Sequence, residues 1–234
     1  MNPESSLTIL ADEVSVCRLC PRLVKYREKV AFEKRRMFRA WTYWGRGVPG
    51  FGDPTAKLFI LGLAPATHGA NRTGRVFTGD RSGDFLYKTL HQAGFANQPT
   101  SVRRGDGLAL EGVLVSAAVR CAPPDNRPRP EEFEACREYL DREYRALARL
   151  RVLVALGGLA FASCLAVLSR AGEPVPRPKP RFRHGGSWEI GKIRLFATYH
   201  PSQQNTFTGR LTPKMLADVL RQAAAAAAET PATS

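Results

Sequence analysis

Residues 57–80 of this 234-residue chain read KLFILGLAPATHGANRTGRVFTGD. The opening run KLFILGL is almost continuously apolar, as expected for a strand that is buried on both faces of a parallel sheet. Small residues follow this run, and two arginines, an aromatic residue and an acid come next. Because ligands bind at the carboxyl ends of strands in such sheets, the loop at 64–80 is a candidate site.

Three further apolar runs of the same kind occur downstream: GVLVSAAV at 112–119, VLVAL at 152–156 and IRLFAT at 193–198. Helical patterns separate or follow these runs, at 82–92, 130–150, 157–169 and 211–227. Strands that alternate with helices predict an α/β fold of three α/β/α layers with a four-stranded parallel sheet. We expect a single domain over 1–234, with an N-terminal helical segment at 1–30 and a frayed tail at 223–234.

The composition is that of a globular and strongly basic protein. Lys and Arg total 35 against 21 Asp and Glu, a formal net charge of +14, and hydrophobic residues make up 44%. This hydrophobic share argues against a disordered chain. With no apolar run of the roughly 20 residues that cross a bilayer and no secretory signal, we expect a cytoplasmic protein. The charge excess fits either a phosphate-rich partner such as nucleic acid or an arginine-rich genome.

Four of the five cysteines suit a tetrathiolate site. Cys17 and Cys20 form C-x2-C, whereas Cys121 and Cys136 are far apart in sequence. Thiolate-only sites bind zinc or an iron–sulfur cluster, and the wide second spacing weakens zinc without excluding it. Four unrelated cysteines remain an alternative. Cys164 lies on an apolar helical face and is expected to be a buried hydrophobic residue.

Two polar loops follow predicted strands at the same sheet edge. The loop at 64–80 lacks the G-K-[ST] of a Walker A motif and the G-x-G-x-x-G of a dinucleotide site. The loop at 199–210 contains His200 among amide side chains, which makes this histidine a candidate electrophile or acid. A third segment, EPVPRPKPRFRHGG at 173–186, is either a basic arm that touches phosphate or a solvated connector.

Taken together, these segments resemble the family 5 (type B) uracil-DNA glycosylases. Motif 1 of that family is matched by GLAPA at 62–66, NRTGR at 71–75 and FTGD at 77–80, and motif 2 by HPS at 200–202 with TGRLT at 208–212. RCAPPDN at 120–126 matches the segment that holds the third cysteine. The resemblance implies a four-stranded parallel sheet between helices. It also implies that Cys17, Cys20, Cys121 and Cys136 bind a 4Fe-4S cluster, with zinc as the alternative.

The chemistry implied by the resemblance is hydrolysis of the bond between a damaged base and deoxyribose, which leaves an abasic site. The base is flipped into a pocket, and negative charge develops on the departing base. We expect His200 to donate to a carbonyl oxygen of that base. Asp80 would orient water or favour the sugar cation, and Asn126 would position water or contact the nucleotide. The alternative role for Asp80 is an N-cap for the helix that follows it.

The resemblance also suggests roles in binding. Phe77 would stack on the flipped base, with core packing as the alternative. The candidate base-binding residues are Gly62, Ala64, Phe77, Ala117 and Asn205. The candidate DNA-binding residues are Arg72, Arg75, Gln204 and Arg210. We expect the partners to be double-stranded and single-stranded DNA with damaged bases, and the enzyme to be a monomer that needs neither a membrane nor a protein partner.

Position 117 carries a prediction about specificity. The sister family of the same superfamily, family 4, has a uracil-binding asparagine at this position, where the present chain has Ala117. Without that amide, the site loses a hydrogen bond that favours uracil. It also loses the cost of leaving the amide unpaired when another base binds, so we expect hypoxanthine and xanthine as further substrates. Loss of the sister family's carboxylate after the first strand leaves a second reading open, a non-catalytic module that binds damaged DNA. A zinc-containing phosphoesterase is a third reading, but the sequence shows no H-x-E or D-x-D grouping for it.

Overall fold

A computed structural model describes residues 3–229 as helices packed on one six-stranded sheet. The strands are β1 (Phe51–Gly52), β2 (Leu58–Gly62), β3 (Val113–Ala117), β4 (Val152–Leu156), β5 (Gly186–Ile190) and β6 (Ile193–Thr198). Their order is β1-β3-β2-β4-β6-β5. The four inner strands are parallel, which confirms the predicted sheet. The two edge strands are antiparallel additions that the sequence analysis missed.

Eight α-helices surround the sheet in the described part of the chain. They are α1 (Pro3–Val16), α2 (Pro21–Glu33), α3 (Ala70–Thr73), α4 (Arg81–Gln92), α5 (Pro130–Ala146), α6 (Gly158–Arg170), α7 (Gln203–Phe207) and α8 (Pro213–Ala228). Helix α8 begins as predicted, because Thr212 caps it by accepting the Met215 N–H and Pro213 occupies its first position. None of the helices described is long and apolar enough to span a membrane.

Alternate residues of each inner strand point to opposite faces of the sheet and form two cores. Ile60 on β2 packs in the core that α4 and α8 cover, whereas Phe59 packs in the core that α5 and α6 cover. Both residues have no exposed surface. Burial on both faces explains why these strands are apolar throughout, and it produces the three predicted layers.

The predicted fraying of the tail at 223–234 is wrong for its first part. Helix α8 continues through Ala228, and Ala223, Ala226 and Ala227 are buried against the sheet. Alanine has the highest helix propensity, and its small side chain allows a helix to pack closely, so the alanine run extends the helix. Residues 230–234 lie outside the described residues.

Candidate active site

A single edge of the sheet collects the loops that follow the parallel strands, and a cavity of about 570 Å³ opens there. It brings together Asp80, Asn126 and His200, the three residues predicted to be catalytic. Its other lining residues are Leu63, Ala64, Ala66, Phe77, Arg81, Ser82, Ser202, Gln203 and Gln204. The cavity thus combines an apolar wall with polar and charged side chains, which can hold an organic ligand and fix its orientation.

His200 is delivered to this cavity by the end of β6. Burial lowers the pKa of its imidazole to about 4, so the ring is neutral at pH 7. A neutral imidazole has one N–H to donate and one nitrogen to accept. The ring lies beside Phe77, with the two ring centroids 5.7 Å apart. His200 is therefore a hydrogen-bonding group of the site and carries no charge at neutral pH.

Asp80 both caps a helix and lines the cavity. Its Oδ1 accepts the Gly83 N–H at 3.0 Å, which makes it the N-cap of α4. Its Oδ2 lies against Gly69, where a Cβ would come within 2.0 Å of that oxygen. Burial raises the pKa of the Asp80 carboxyl, although the backbone N–H groups and the charge of Arg72 oppose this shift. The capping role considered for Asp80 is present, and its position leaves room for a catalytic one.

Asn126 reaches the cavity from the loop after β3. It closes a short 3-10 turn, Pro124–Asn126, in which Asp125 and Asn126 have φ values of 54° and 55°. Asn and Asp adopt this left-handed conformation more readily than other residues with a Cβ. The turn leaves the Asn126 side chain exposed at the rim of the cavity, where it is accessible to water or a nucleotide.

Gly62 and Phe77 share one space, which changes the role predicted for the glycine. Gly62 was predicted to bind the base. Instead the Phe77 ring covers it, since a Cβ on Gly62 would lie 2.6 Å from Phe77 Cε2 and Cζ. Phe77 lines the cavity, as does Ala64, and its own φ is 50°. The missing side chain of Gly62 thus makes room for the aromatic wall, and the expectation of direct ligand contact was wrong.

Two further residues that were predicted to contact the base, Ala117 and Asn205, do not line the cavity. Ala117 pairs with Gly62 across the sheet, is only 3% exposed and packs in the core beneath Phe77. Asn205 uses its amide internally, because Nδ2 donates to the carbonyl oxygen of His200 at 2.8 Å. Ala117 therefore supports the cavity wall from below, and Asn205 positions the histidine loop.

Arg72 was predicted to contact phosphate, and the structure places it inside the protein. It is 4% exposed, and its guanidinium lies 4.0 Å from the Phe38 ring centroid and 4.1 Å from that of Trp41. Nε donates to the His68 carbonyl and Nη2 to the Gly79 carbonyl, both at 2.8 Å. Arg72 thus fixes the loop that precedes Asp80, because the aromatic pair and two backbone oxygens hold its side chain.

Arg75 is likewise a structural residue in this conformation. It is 5% exposed and forms a bidentate ion pair with Asp106, at 2.8 and 2.7 Å. It also donates to Ser101 and Thr78. This buried guanidinium uses four of its five N–H donors on protein partners and does not reach the surface, so the prediction that Arg75 contacts phosphate was wrong.

Gln204 lines the cavity, and both Gln204 and Arg210 are exposed, as a DNA contact requires. The sequence analysis missed Arg81, which lines the cavity and lies over the ring of Phe207 at 5.2 Å. Phe207, at the end of α7, is 67% exposed. The sequence could have pointed to both residues by their neighbours, since Arg81 directly follows Asp80 and Phe207 lies within the second polar loop.

The four cysteines of the predicted metal site gather at one place. Cys17 and Cys20 lie between α1 and α2, Cys121 follows β3, and Cys136 is on α5. Burial raises the pKa of the Cys121 thiol, and the nearby thiols of Cys136 and Cys17 add to this, whereas the charge and the hydrogen bond of Arg27 oppose it. Among residues 3–229, however, no group of three or more His, Cys, Asp or Glu has the geometry of a metal-ion site. The cluster therefore remains a prediction, while Cys164 is fully buried elsewhere as expected.

A buried arginine lies against these thiols. Arg27 is 1% exposed, and its Nη1 donates to Cys121 Sγ at 2.8 Å. Its Nη2 donates to the Cys17 carbonyl at 2.7 Å. No carboxylate in the described part of the chain pairs with this guanidinium. A buried cation is costly without an anion beside it, so its environment matches deprotonated thiols better than neutral ones.

The fold and the cavity define a class of protein. The chain belongs to the uracil-DNA glycosylase superfamily, whose family model matches residues 49–224. Within that class the chain is similar to Type-5 uracil-DNA glycosylases. It is 55% identical to that of Mycobacterium tuberculosis over 212 residues, which cover 90% of this chain and 78% of the relative. It is 51% identical to that of Thermus thermophilus over 211 residues, which cover 90% and 93%.

Similarity to the sister type is weaker. The Type-4 uracil-DNA glycosylase of Pyrobaculum aerophilum is 32% identical over 161 residues, which cover 68% of this chain and 74% of the relative. This contrast confirms the resemblance to the type 5 family that the motifs indicated. It also agrees with the absence of a carboxylate between Leu63 and Pro65.

Proposed function

We propose that this protein is a monofunctional DNA glycosylase that removes uracil from DNA and leaves an abasic site. The observation that carries the proposal is the meeting of Asp80, Asn126 and His200 in one cavity at the carboxyl edge of the sheet. Its membership of the superfamily and its similarity to Type-5 uracil-DNA glycosylases support the same activity. Because the substrate is DNA, the enzyme would work in the cytoplasm at the nucleoid. We also propose that it acts as a monomer without an obligate partner.

The cavity suits a base that has left the DNA stack. Enzymes that act on a base must flip it out of the duplex, and an aromatic side chain often stacks on it. Phe77 is the candidate for that contact, because its ring lines the cavity beside the His200 ring. Apolar residues 63, 64 and 66 would exclude water around the base and strengthen the polar contacts that it makes.

His200 would stabilise the departing base. When the glycosidic bond breaks, the sugar becomes cationic and the base anionic. A neutral imidazole that donates to a base carbonyl oxygen stabilises the anion without carrying a charge of its own. The burial that lowers the pKa of His200 keeps the ring neutral, and the Asn205 bond to its carbonyl holds it in place.

The nucleophile would be a water molecule directed at the sugar. The candidates that orient it are Asp80 and Asn126, which approach the cavity from different loops. An ionised Asp80 would also favour the sugar cation, although its primary contact is the helix cap. Leu63 to Pro65 supply no carboxylate, so any acid in this reaction must come from elsewhere in the site.

The substrate range would include hypoxanthine and xanthine. No amide is held fixed against the cavity in the described structure: the Asn205 amide is bound to backbone, and those of Asn126, Gln203 and Gln204 are on exposed residues. A site without a fixed amide that reads the edge of the base cannot strongly reject bases that fail to match uracil. The volume of about 570 Å³ also leaves room for a purine.

The four gathered cysteines would hold a 4Fe-4S cluster, which would join the N-terminal helices to the β3 loop. The donor set is thiol only, and the buried Arg27 against Cys121 supports an anionic group there. We expect stoichiometric iron and acid-labile sulfide, and loss of both in the Cys121→Ser variant. Cys164→Ser is the matched control, since that buried cysteine lies in a different core. Zinc in place of iron would contradict the cluster.

The activity is tested on labelled duplexes that carry one uracil or one hypoxanthine. Alkali-dependent breakage of both would support a broad monofunctional glycosylase, and breakage of the uracil duplex alone would contradict the broad range. Binding without breakage would favour the second reading, a module that recognises damaged DNA. The His200→Asn variant separates the two, because it would bind the duplex and lose excision.

A further inference from the structure

A basic segment beside the catalytic loop has no role in the chemistry above. Residues 176–183 read PRPKPRFR and expose Arg177, Lys179, Arg181 and Arg183. We call these four residues the basic strip. The side chains of its first three members form no hydrogen bond or ion pair with any residue in 3–229. Arg183 lies over the Trp188 ring at 5.8 Å.

These three cations also have no carboxylate partner, in contrast to arginines such as Arg22, which pairs with Glu132, and Arg170, which pairs with Asp141. The strip has no such partner nearby in sequence, because residues 174–188 contain no acid. Its charge is therefore not neutralised within the described structure, and it remains available to an external anion.

Aromatic contacts fasten the strip to the catalytic loop. The His184 ring stacks on the Tyr199 ring, with centroids 5.0 Å apart and planes within 7°. The Tyr199 N–H donates to His184 Nδ1 at 3.3 Å. Phe182 packs on both Tyr199 and Phe161. Tyr199 directly precedes His200, so the strip is held next to the cavity.

The sheet topology places the strip on the same side as the substrate. Strand β5 runs antiparallel to β6, and Gly186 pairs with Ala197. The chain just before Gly186 therefore lies at the carboxyl end of β6, which is the edge that holds the cavity. Arg210 extends the positive surface, since its guanidinium lies over the same Tyr199 ring at 4.4 Å.

We propose that the basic strip binds the phosphate backbone of DNA beside the flipped nucleotide. This inference rests on the proposed function and identifies a binding surface for its substrate. The prolines at 176, 178 and 180 restrict the backbone and remove N–H groups that would need partners. A segment with a restricted backbone loses little conformational entropy on binding, and its contacts with phosphate would be independent of sequence.

The test is the salt dependence of binding to an undamaged duplex, measured by fluorescence anisotropy. The strip variant combines Arg177→Gln, Lys179→Gln and Arg181→Gln. The control variant combines Arg145→Gln, Arg149→Gln and Lys192→Gln. It loses the same charge from exposed residues near the amino ends of the strands. Each phosphate contact contributes about 0.9 to the slope of log K against log salt, so the strip variant should lose about 2.7.

The expected result is a smaller slope in the strip variant, a wild-type slope in the control and equal melting temperatures. At low salt and saturating enzyme, single-turnover excision of uracil should be unchanged, because the strip does not touch the base. Equal slopes for the two variants would overturn the proposal. If neither the wild-type protein nor the variants excised uracil, the proposed function would fail. The salt slopes of the strip and control variants would still decide whether the strip binds DNA.

Discussion

Replacing Gly62 by alanine tests how the cavity wall is built. A Cβ at this position would lie 2.6 Å from two carbons of the Phe77 ring. The preferred separation of nonbonded carbons is about 3.5–4.0 Å, so about 1 Å of movement is required. Neither group moves freely, because Gly62 lies within the hydrogen-bonded strand β2 and Phe77 is buried with a φ of 50°.

Over-packing of this kind costs about 1–3 kcal/mol in the free energy of unfolding. For a chain of this size, 1 kcal/mol lowers the melting temperature by about 2–4 °C, so Gly62→Ala should lower it by about 2–12 °C. Because the ring also lies beside His200, single-turnover excision of uracil should fall by about 10-fold to 100-fold.

The assay is a double-mutant cycle of Gly62→Ala and Phe77→Ala, followed by thermal unfolding. Once the ring is removed, alanine at position 62 has nothing to clash with, so the coupling energy should be about 1 kcal/mol or more. Gly158→Ala is the control, since a Cβ there meets Phe182 at an ordinary 3.9 Å. Wild-type melting of the Gly62→Ala variant and zero coupling would refute this description of the wall.

Three further predictions concern buried polar groups. Asp80→Asn keeps a capping side chain, so the free energy of unfolding should change by less than about 1 kcal/mol. Excision should fall at least about 10-fold if the carboxylate acts in the reaction; unchanged excision would leave Asp80 as a cap only. The pKa of His200 is about 4 in the folded protein and about 6.5 in the unfolded chain. Its contribution to stability is therefore constant above pH 6.5 and decreases as the pH falls toward 4, and urea titrations of His200→Asn should lack this decrease. Glu143→Gln leaves the buried Arg120 without its ion pair and should cost about 3–5 kcal/mol in urea unfolding, whereas a loss below about 1 kcal/mol would contradict the pairing.

The inner sheet was predictable because its strands are buried on both faces, which makes each of them a continuous apolar run. The edge strands give no such signal: β1 has two residues, and in β5 only Gly186 and Ile190 are buried. The alanine tail was misjudged because alanine occurs both in exposed helices and in closely packed ones. The sequence therefore gives no signal that this helix end is buried.

At the site, position after a strand was a sufficient signal for His200 and Asp80. It was insufficient for the arginines, because burial of Arg75 depends on Asp106, 31 residues further along the chain. Gly62 was misread for the same reason: whether a ligand or a side chain fills the space above a glycine is decided by tertiary packing.

The most direct test of the central claim is to follow both products of one turnover on a uracil-containing duplex. The account predicts one free uracil for each abasic site, an abasic sugar that an aldehyde-reactive probe captures, and strand breakage only after alkali. The His200→Asn variant should bind the duplex and release almost no base. Strand breakage without alkali, or alkali-labile sites without free uracil, would contradict hydrolysis of the glycosidic bond in this cavity.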